Sequence, residues 1–144
     1  MYGIVNNGLY DVDGRFEAAA PVGRGVFVTP SYVNKTAAVP VADGAKDVYF
    51  VINEVTTPKE LGVDDNLFVV AAGVKLKLAK FQLGATFSTT EFAAAPAIGD
   101  VLMVGVGGGL VADNNGVFKA TVIETIPAAQ FGGEPAVKCI VTAV

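Results

Sequence analysis

The sequence lacks the side chains that most enzyme sites are built from. There is no histidine, no tryptophan and one cysteine. Without histidine there is no Ser-His or Cys-His nucleophile pair, no imidazole acid–base group and no imidazole metal ligand. One cysteine excludes an internal disulfide and a cysteine-cluster zinc site. The remaining nucleophiles of interest are Ser31, Ser88 and Cys139. Ser31 follows Pro30 in a turn, and Ser88 and Cys139 sit in strand patterns; no serine–lysine spacing activates either serine. Cys139, between Lys138 and Ile140, reads as a small buried residue. A paired-carboxylate site needs two acids converging across a cleft, and no motif points to one.

Oxygen-ligand and phosphate motifs fail on spacing. Asp11-Val12-Asp13-Gly14 resembles part of a calcium loop, but Leu9 and Ala20 would occupy the first and last ligand positions and neither coordinates. Asp64, Asp65 and Asn66 form a weak oxygen cluster that reads as a solvated surface. Gly105-Val106-Gly107-Gly108-Gly109 lacks the dinucleotide spacing and leads into a strand, so it reads as a hairpin loop. The expectation is a protein with no catalytic residue, no metal and no cofactor.

The elements that would carry any site are strands. Val outnumbers Leu by 24 to 8, and β-branched side chains suit a pleated surface. The 17 Gly and 7 Pro are scattered as punctuation, which argues against long helices. Asp47 to Val55 is continuous enough for a central strand covered on both faces. Val74-Lys75-Leu76-Lys77-Leu78 alternates strictly, one face wet and one buried. Along 117–126, Phe118, Ala120, Val122 and Glu124 point one way and Val117, Lys119, Thr121 and Ile123 the other. Turn residues appear at Asp43-Gly44, at Asp113-Asn114-Asn115-Gly116 and at Gly132-Gly133. Thr56 to Asn66 is the largest polar excursion and reads as a projecting loop. The pattern predicts an all-β fold, a compact antiparallel β-sandwich or a small β-barrel with little helix. Residues 1–20 read as an irregular N-terminal arm that crosses a neighbouring surface or packs along its own barrel. Residues 21–144 read as a single β domain.

Size and charge bound the partners. A 144-residue chain of 14.7 kDa is one ordinary domain, able to bury roughly two thirds of its extended surface. The formal net charge is −4, which predicts no nucleic-acid and no membrane partner. Lys75, Lys77 and Lys80 fit a solvated strand face better than a binding patch. No apolar run approaches the roughly 20 residues of a membrane span, and the first eight residues lack the pattern of a signal peptide. Synthesis in a cytoplasm is the expectation. The composition is apolar for a small domain, at 52%. Phe16, Phe68, Phe81, Phe87, Phe92 and Phe131 therefore either fill a core or line an interface.

A succession of phrases carries a family resemblance. Pro21 to Val28 opens a strand, and Val39 to Val51 makes a strand, turn and strand. Gly84-Ala85-Thr86-Phe87-Ser88-Thr89-Thr90, Ile98-Gly99-Asp100-Val101-Leu102 and Val104 to Leu110 follow, closing on Asp-Asn-Asn-Gly. From about residue 20 to 144 the chain resembles the decoration, or cement, proteins of tailed-bacteriophage heads. The resemblance implies a non-enzymatic virion protein on the outer capsid surface, assembled in host cytoplasm. It implies the phage major capsid protein as partner and a homotrimer on the shell. An N-terminal arm in such proteins commonly joins capsid strands by β-augmentation. Met1, Tyr2, Ile4 and Val5 are the capsid-contact candidates on that basis. The alternative is a tail or fibre β module that binds a receptor or carbohydrate; the absence of Trp counts against sugar stacking, though Tyr2, Tyr10, Tyr32 and Tyr49 remain. A small hydrolase with a carboxylate pair is the third and poorest reading.

Overall fold

The computed structural model describes residues 3–53, 69–130 and 133–144. The fold is all-β, and no α-helix occurs among the described residues. The strands are β1 (Gly3–Val5), β2 (Tyr10–Asp13), β3 (Glu17–Ala18), β4 (Val22–Gly23), β5 (Phe27–Ser31), β6 (Thr36–Ala38) and β7 (Tyr49–Val51). They continue with β8 (Val69–Val70), β9 (Leu78–Phe81), β10 (Thr86–Thr89), β11 (Val101–Val104), β12 (Leu110–Ala112), β13 (Lys119–Ile126) and β14 (Ala136–Ala143). One sheet runs β1-β10-β14-β13-β11-β12, the other β2-β9-β7-β5-β6-β3, and β4 pairs with β8 as a separate ribbon.

The second sheet closes on itself. β2 and β3 are the two halves of one bent strand that runs antiparallel along 74–81. Asp13 faces Leu78 but Glu17 faces Lys75, so one extra residue is taken up at Gly14-Arg15 as a bulge. Past it, Ala18 N–H donates to Val74 O at 2.9 Å and Leu76 N–H to Phe16 O at 2.9 Å. On its other side β3 pairs in parallel with β6. The circuit β3, 74–81, β7, β5, β6 and back to β3 is therefore a small closed barrel. Sandwich and barrel are both present: the first sheet packs on the barrel's outer wall through the phenylalanine core.

Alternation in the shared wall divides the interior into two cores. Phe27, Phe50, Ala79 and Phe81 face the first sheet, where they meet Phe87, Phe118, Val122, Cys139 and Val141. Val28, Tyr49, Val51 and Leu78 face into the barrel with Phe16, Ala18, Ala37 and Leu76, beside Val22, Val26 and Val70. Of the central strand expected over 47–55, Tyr49–Val51 is strand and buried throughout, while Asp47, Ile52 and Asn53 lie outside it and residues 54–55 lie outside the described residues. Phe16, Phe81 and Phe87 are core residues and Phe92 is half-buried. Phe68 and Phe131 lie outside the described residues, as does the polar excursion at 56–66.

Two expectations need correction. Residues 3–18 are not irregular; they supply β1, β2 and β3, belong to both sheets, and so run along their own barrel, one of the two placements expected. Their short, Gly- and Asp-interrupted pieces hide a strand whose period is broken by the bulge. Glu124 does not follow Val122 inward. A register shift between Val122 and Glu124 turns it out to solvent, which avoids the large penalty of a buried, unpaired carboxylate. Elsewhere Glu91 and Ala93 exchange backbone hydrogen bonds with Leu110.

Candidate docking site

β1 carries two of the four contact candidates. It lies at the edge of the first sheet, antiparallel to β10, with Ile4 opposite Ser88 and Val5 opposite Phe87. Ile4 is exposed at 38%, while Val5 packs half-buried against the phenylalanine core. Met1 and Tyr2 lie outside the described residues. β1 is tied down on both sides of the following turn. Asn6 N–H donates to Thr86 O at 2.8 Å, and Asn6 Oδ1 accepts from Ser88 Oγ at 3.0 Å. Asn7 Oδ1 accepts from Thr86 N–H at 3.2 Å while its Nδ2 donates to Gly84 O at 3.1 Å. Gly3 is required where β1 crosses the sandwich: a Cβ would sit 2.5 Å from Gly25 Cα and 2.6 Å from the Phe50 ring.

The described part of the segment is already paired within its own chain. Residues 3–5 already complete a sheet of their own chain. Hydrogen-bonded pairs alternate in an antiparallel ladder. With Asn6 bonded to Thr86, the backbone groups of Gly3 and Val5 point away from β10. Among the described residues no strand pairs with that outer side. β1 is thus an edge strand of the first sheet.

The opposite end of the same sheet carries an apolar tip that sequence reasoning did not single out. The 3-10 turn Val106–Gly108 joins β11 to β12 and is laced to the loop 39–44. Gly107 N–H donates to Pro40 O at 2.9 Å, Gly44 N–H to Val104 O at 2.9 Å, and Gly105 N–H to Gly109 O at 2.8 Å. Asp43 Oδ1 accepts from Val106 N–H at 2.8 Å. The laced loops present Val41, exposed at 93%, and Val106, exposed at 61%. Gly108, at φ +86°, lies so close to Phe27 that a Cβ would collide with the Phe27 carbonyl oxygen. The tip is therefore anchored on the core beneath it. Its sequence signal was available in Val39-Pro40-Val41-Ala42, an apolar stretch between turn residues, but there it reads equally well as strand.

No family model, curated protein or solved structure matches the chain.

The chemistry around these surfaces is electrostatically quiet. Among the described residues no three His, Cys, Asp or Glu side chains gather as a metal site, and no helix is long and apolar enough to cross a membrane. Cys139 is fully buried in the phenylalanine core, and burial pushes its thiol pKa up to about 12; a thiolate is therefore scarce at neutral pH. Ser88 is buried against Asn6, and Ser31 Oγ accepts from Asn34 N–H at 3.4 Å in the β5–β6 turn. Asp13 is occupied by its neighbour. The side-chain hydrogen bond from Arg15, 2.6 Å from Nη2 to Oδ2, lowers its pKa. The lysines noted in the sequence are strand-face residues: Lys80 pairs with Asp47 at 2.7 Å and Lys75 with Glu17 at 3.8 Å.

Proposed function

We propose that the chain is a non-enzymatic structural protein that docks on the outer surface of a tailed-phage capsid and stabilises the shell, associating there as a homotrimer. The observation that carries the reading is the laced valine tip. Val41 and Val106 are exposed although they sit on a hydrogen-bonded, core-anchored base. Exposed apolar side chains that are held rigid lose little conformational entropy on docking. The sequence resemblance to decoration proteins supports the same reading. So does the position of the tip at the opposite end of the sheet from the β1 edge. A closed ring of identical subunits uses two unlike surfaces, each meeting the other on the next copy. Many weak contacts repeated over a shell then add by multivalency, and binding only the mature lattice stabilises that lattice by mass action.

Co-sedimentation with cognate mature capsid shells tests the proposal, with light scattering for the free mass. Saturable binding is expected. The double variant Val41→Asp, Val106→Asp should lose it while keeping a wild-type circular dichroism spectrum. Absence of saturable binding by the wild-type chain overturns the capsid role.

A further inference from the structure

A cleft of about 330 Å³ opens on the barrel side, lined by Arg15, Phe16, Tyr32, Lys35 and Lys75. Its size is at the small end of the range for ligand sites. Three cations converge here in a chain whose formal charge is −4. Two of them are partly spent: Arg15 on Asp13 at 2.6 Å, and Lys75 on Glu17 at 3.8 Å and on Arg15 O at 3.3 Å. Lys35 forms no ion pair within the described residues.

Lys35 also has an unusual backbone. Its φ of +55° is one of two positive values among the described non-glycine residues; the other, Asn115, is of a type that accepts it readily. Glycine or asparagine would close this β5–β6 turn with less strain. A long cation is held instead, its carbonyl bonded by Glu17 N–H at 3.0 Å. Strain of this kind concentrates where a side chain has work to do.

Opposite the cations is a fixed aromatic surface. Tyr32 is 57% exposed, yet its hydroxyl donates to Asp47 Oδ2 at 2.6 Å and its ring meets Phe16 edge-on at 5.6 Å. A sugar ring offers an apolar C–H face to such a surface, and a carboxylate on that ring would reach the lysine and arginine heads. An extended peptide is a poor fit. β3, which underlies the cleft, is paired on one side with β6 and on the other with 74–76, so no backbone edge is free to hold a strand.

We propose that the Arg15–Tyr32–Lys35–Lys75 cleft binds a carboxylated sugar, the hexuronates being the simplest members of the class. The proposal is independent of the capsid role, because the cleft and the docking tip share no residue. Isotope-detected NMR titration of the whole chain tests it, with glucuronate, glucose, acetate, a triglutamate peptide and an oligouronate as probes. Glucuronate should shift the Tyr32 and Lys35 resonances saturably, and glucose, acetate and triglutamate should bind at least tenfold more weakly. Lys35→Gly and Lys35→Asn, which both suit a positive φ, should weaken glucuronate at least tenfold while the melting temperature holds or rises. Tyr32→Leu should weaken glucuronate comparably with no gain in acetate binding. An oligouronate that binds as well as or better than the monomer supports the class. No saturable shift with glucuronate, acetate or triglutamate binding as tightly, or a wild-type affinity in both Lys35 variants, each overturns it.

Discussion

The two cores share a wall but are built from different side chains. Between the sheets the filling is aromatic. Phe27 lies within 5.0 to 6.1 Å of the rings of Phe50, Phe81, Phe87 and Phe118, and Phe81 stacks on Phe87 at 4.9 Å. Inside the barrel the filling is mostly Val, Ala and Leu, with Phe16 and Tyr49 as its rings. Stacked sheets stand about 10 Å apart, and large rings span that gap. A small closed barrel has a narrow lumen that small and branched side chains suffice to fill. Neighbouring residues on one strand, Phe27 and Val28, thus answer to two different spatial limits. Residue size is legible as a consequence of which face a position takes.

The contrast can be broken most strongly at its aromatic centre. Phe27→Ala should cost about 3–5 kcal/mol, read from urea unfolding, against the roughly 5–15 kcal/mol of a whole domain. A loss below 1 kcal/mol would mean the phenylalanine core is not the main source of stability. In the barrel the sensitive direction is reversed. Ala37→Leu, at a position buried beside Val28 and Val51, should cost about 1–3 kcal/mol by overpacking. Because the cores share β5, β7 and β9, each variant should still unfold in one transition. Cys139 labelling by a thiol reagent should accelerate in both; acceleration only in Phe27→Ala would show that the barrel and the sandwich open separately.

Smaller effects sharpen the comparison at the barrel surface. Lys35→Gly should raise stability by about 1 kcal/mol, the strain of a non-glycine residue in the left-handed region. An unchanged or lower value would remove strain as an explanation for that turn. The smallest effect concerns Asp47. Burial raises its pKa, but hydrogen bonds from Lys80 and Tyr32 outweigh this and leave the carboxyl below its ordinary value. A folded pKa below the unfolded one means that the stabilisation is present above the unfolded pKa of 3.8. It is lost as pH falls through the lowered value. An acid titration followed by tyrosine fluorescence should therefore show a step below that pH, and Asp47→Asn should abolish it. Solvent screening keeps the associated stability change small, since the Asp47 side chain is 43% exposed.

Much of this fold could be read from residue type and spacing. Tyr49-Phe50-Val51 announces a strand buried on both faces because it contains no polar break. Leu76 and Leu78 are buried and Lys75 and Lys77 exposed, as strict alternation requires. Asn115 adopts φ +61° and Gly44 φ +77° in turns their types foretold. The misses share one cause. Gly14-Arg15 and Ile123 each sit at an extra residue in a strand, and a one-residue slip exchanges the two faces of everything beyond it. Period counting alone reads such a slip as the end of a strand. Residues 10–18 consequently read as part of an irregular arm, and Glu124 as inward-facing.

The candidate surfaces were less legible than the fold. Ile4 and Val5 were singled out through the family resemblance, but whether a strand completes its own sheet or another depends on partners distant in sequence. The valine tip depends on loops 39–44 and 105–109 meeting, and the cleft on Arg15, Tyr32 and Lys75 meeting across three strands. Composition and alternation, which are local, determined by themselves that this protein is all-β, where its central strands lie and which side chains it lacks. Tertiary structure alone decided that sandwich and barrel coexist, that the N-terminal segment is a wall, and which valines and cations stay exposed. Those outcomes rest on pairings between residues far apart in the chain, and no local pattern encodes them.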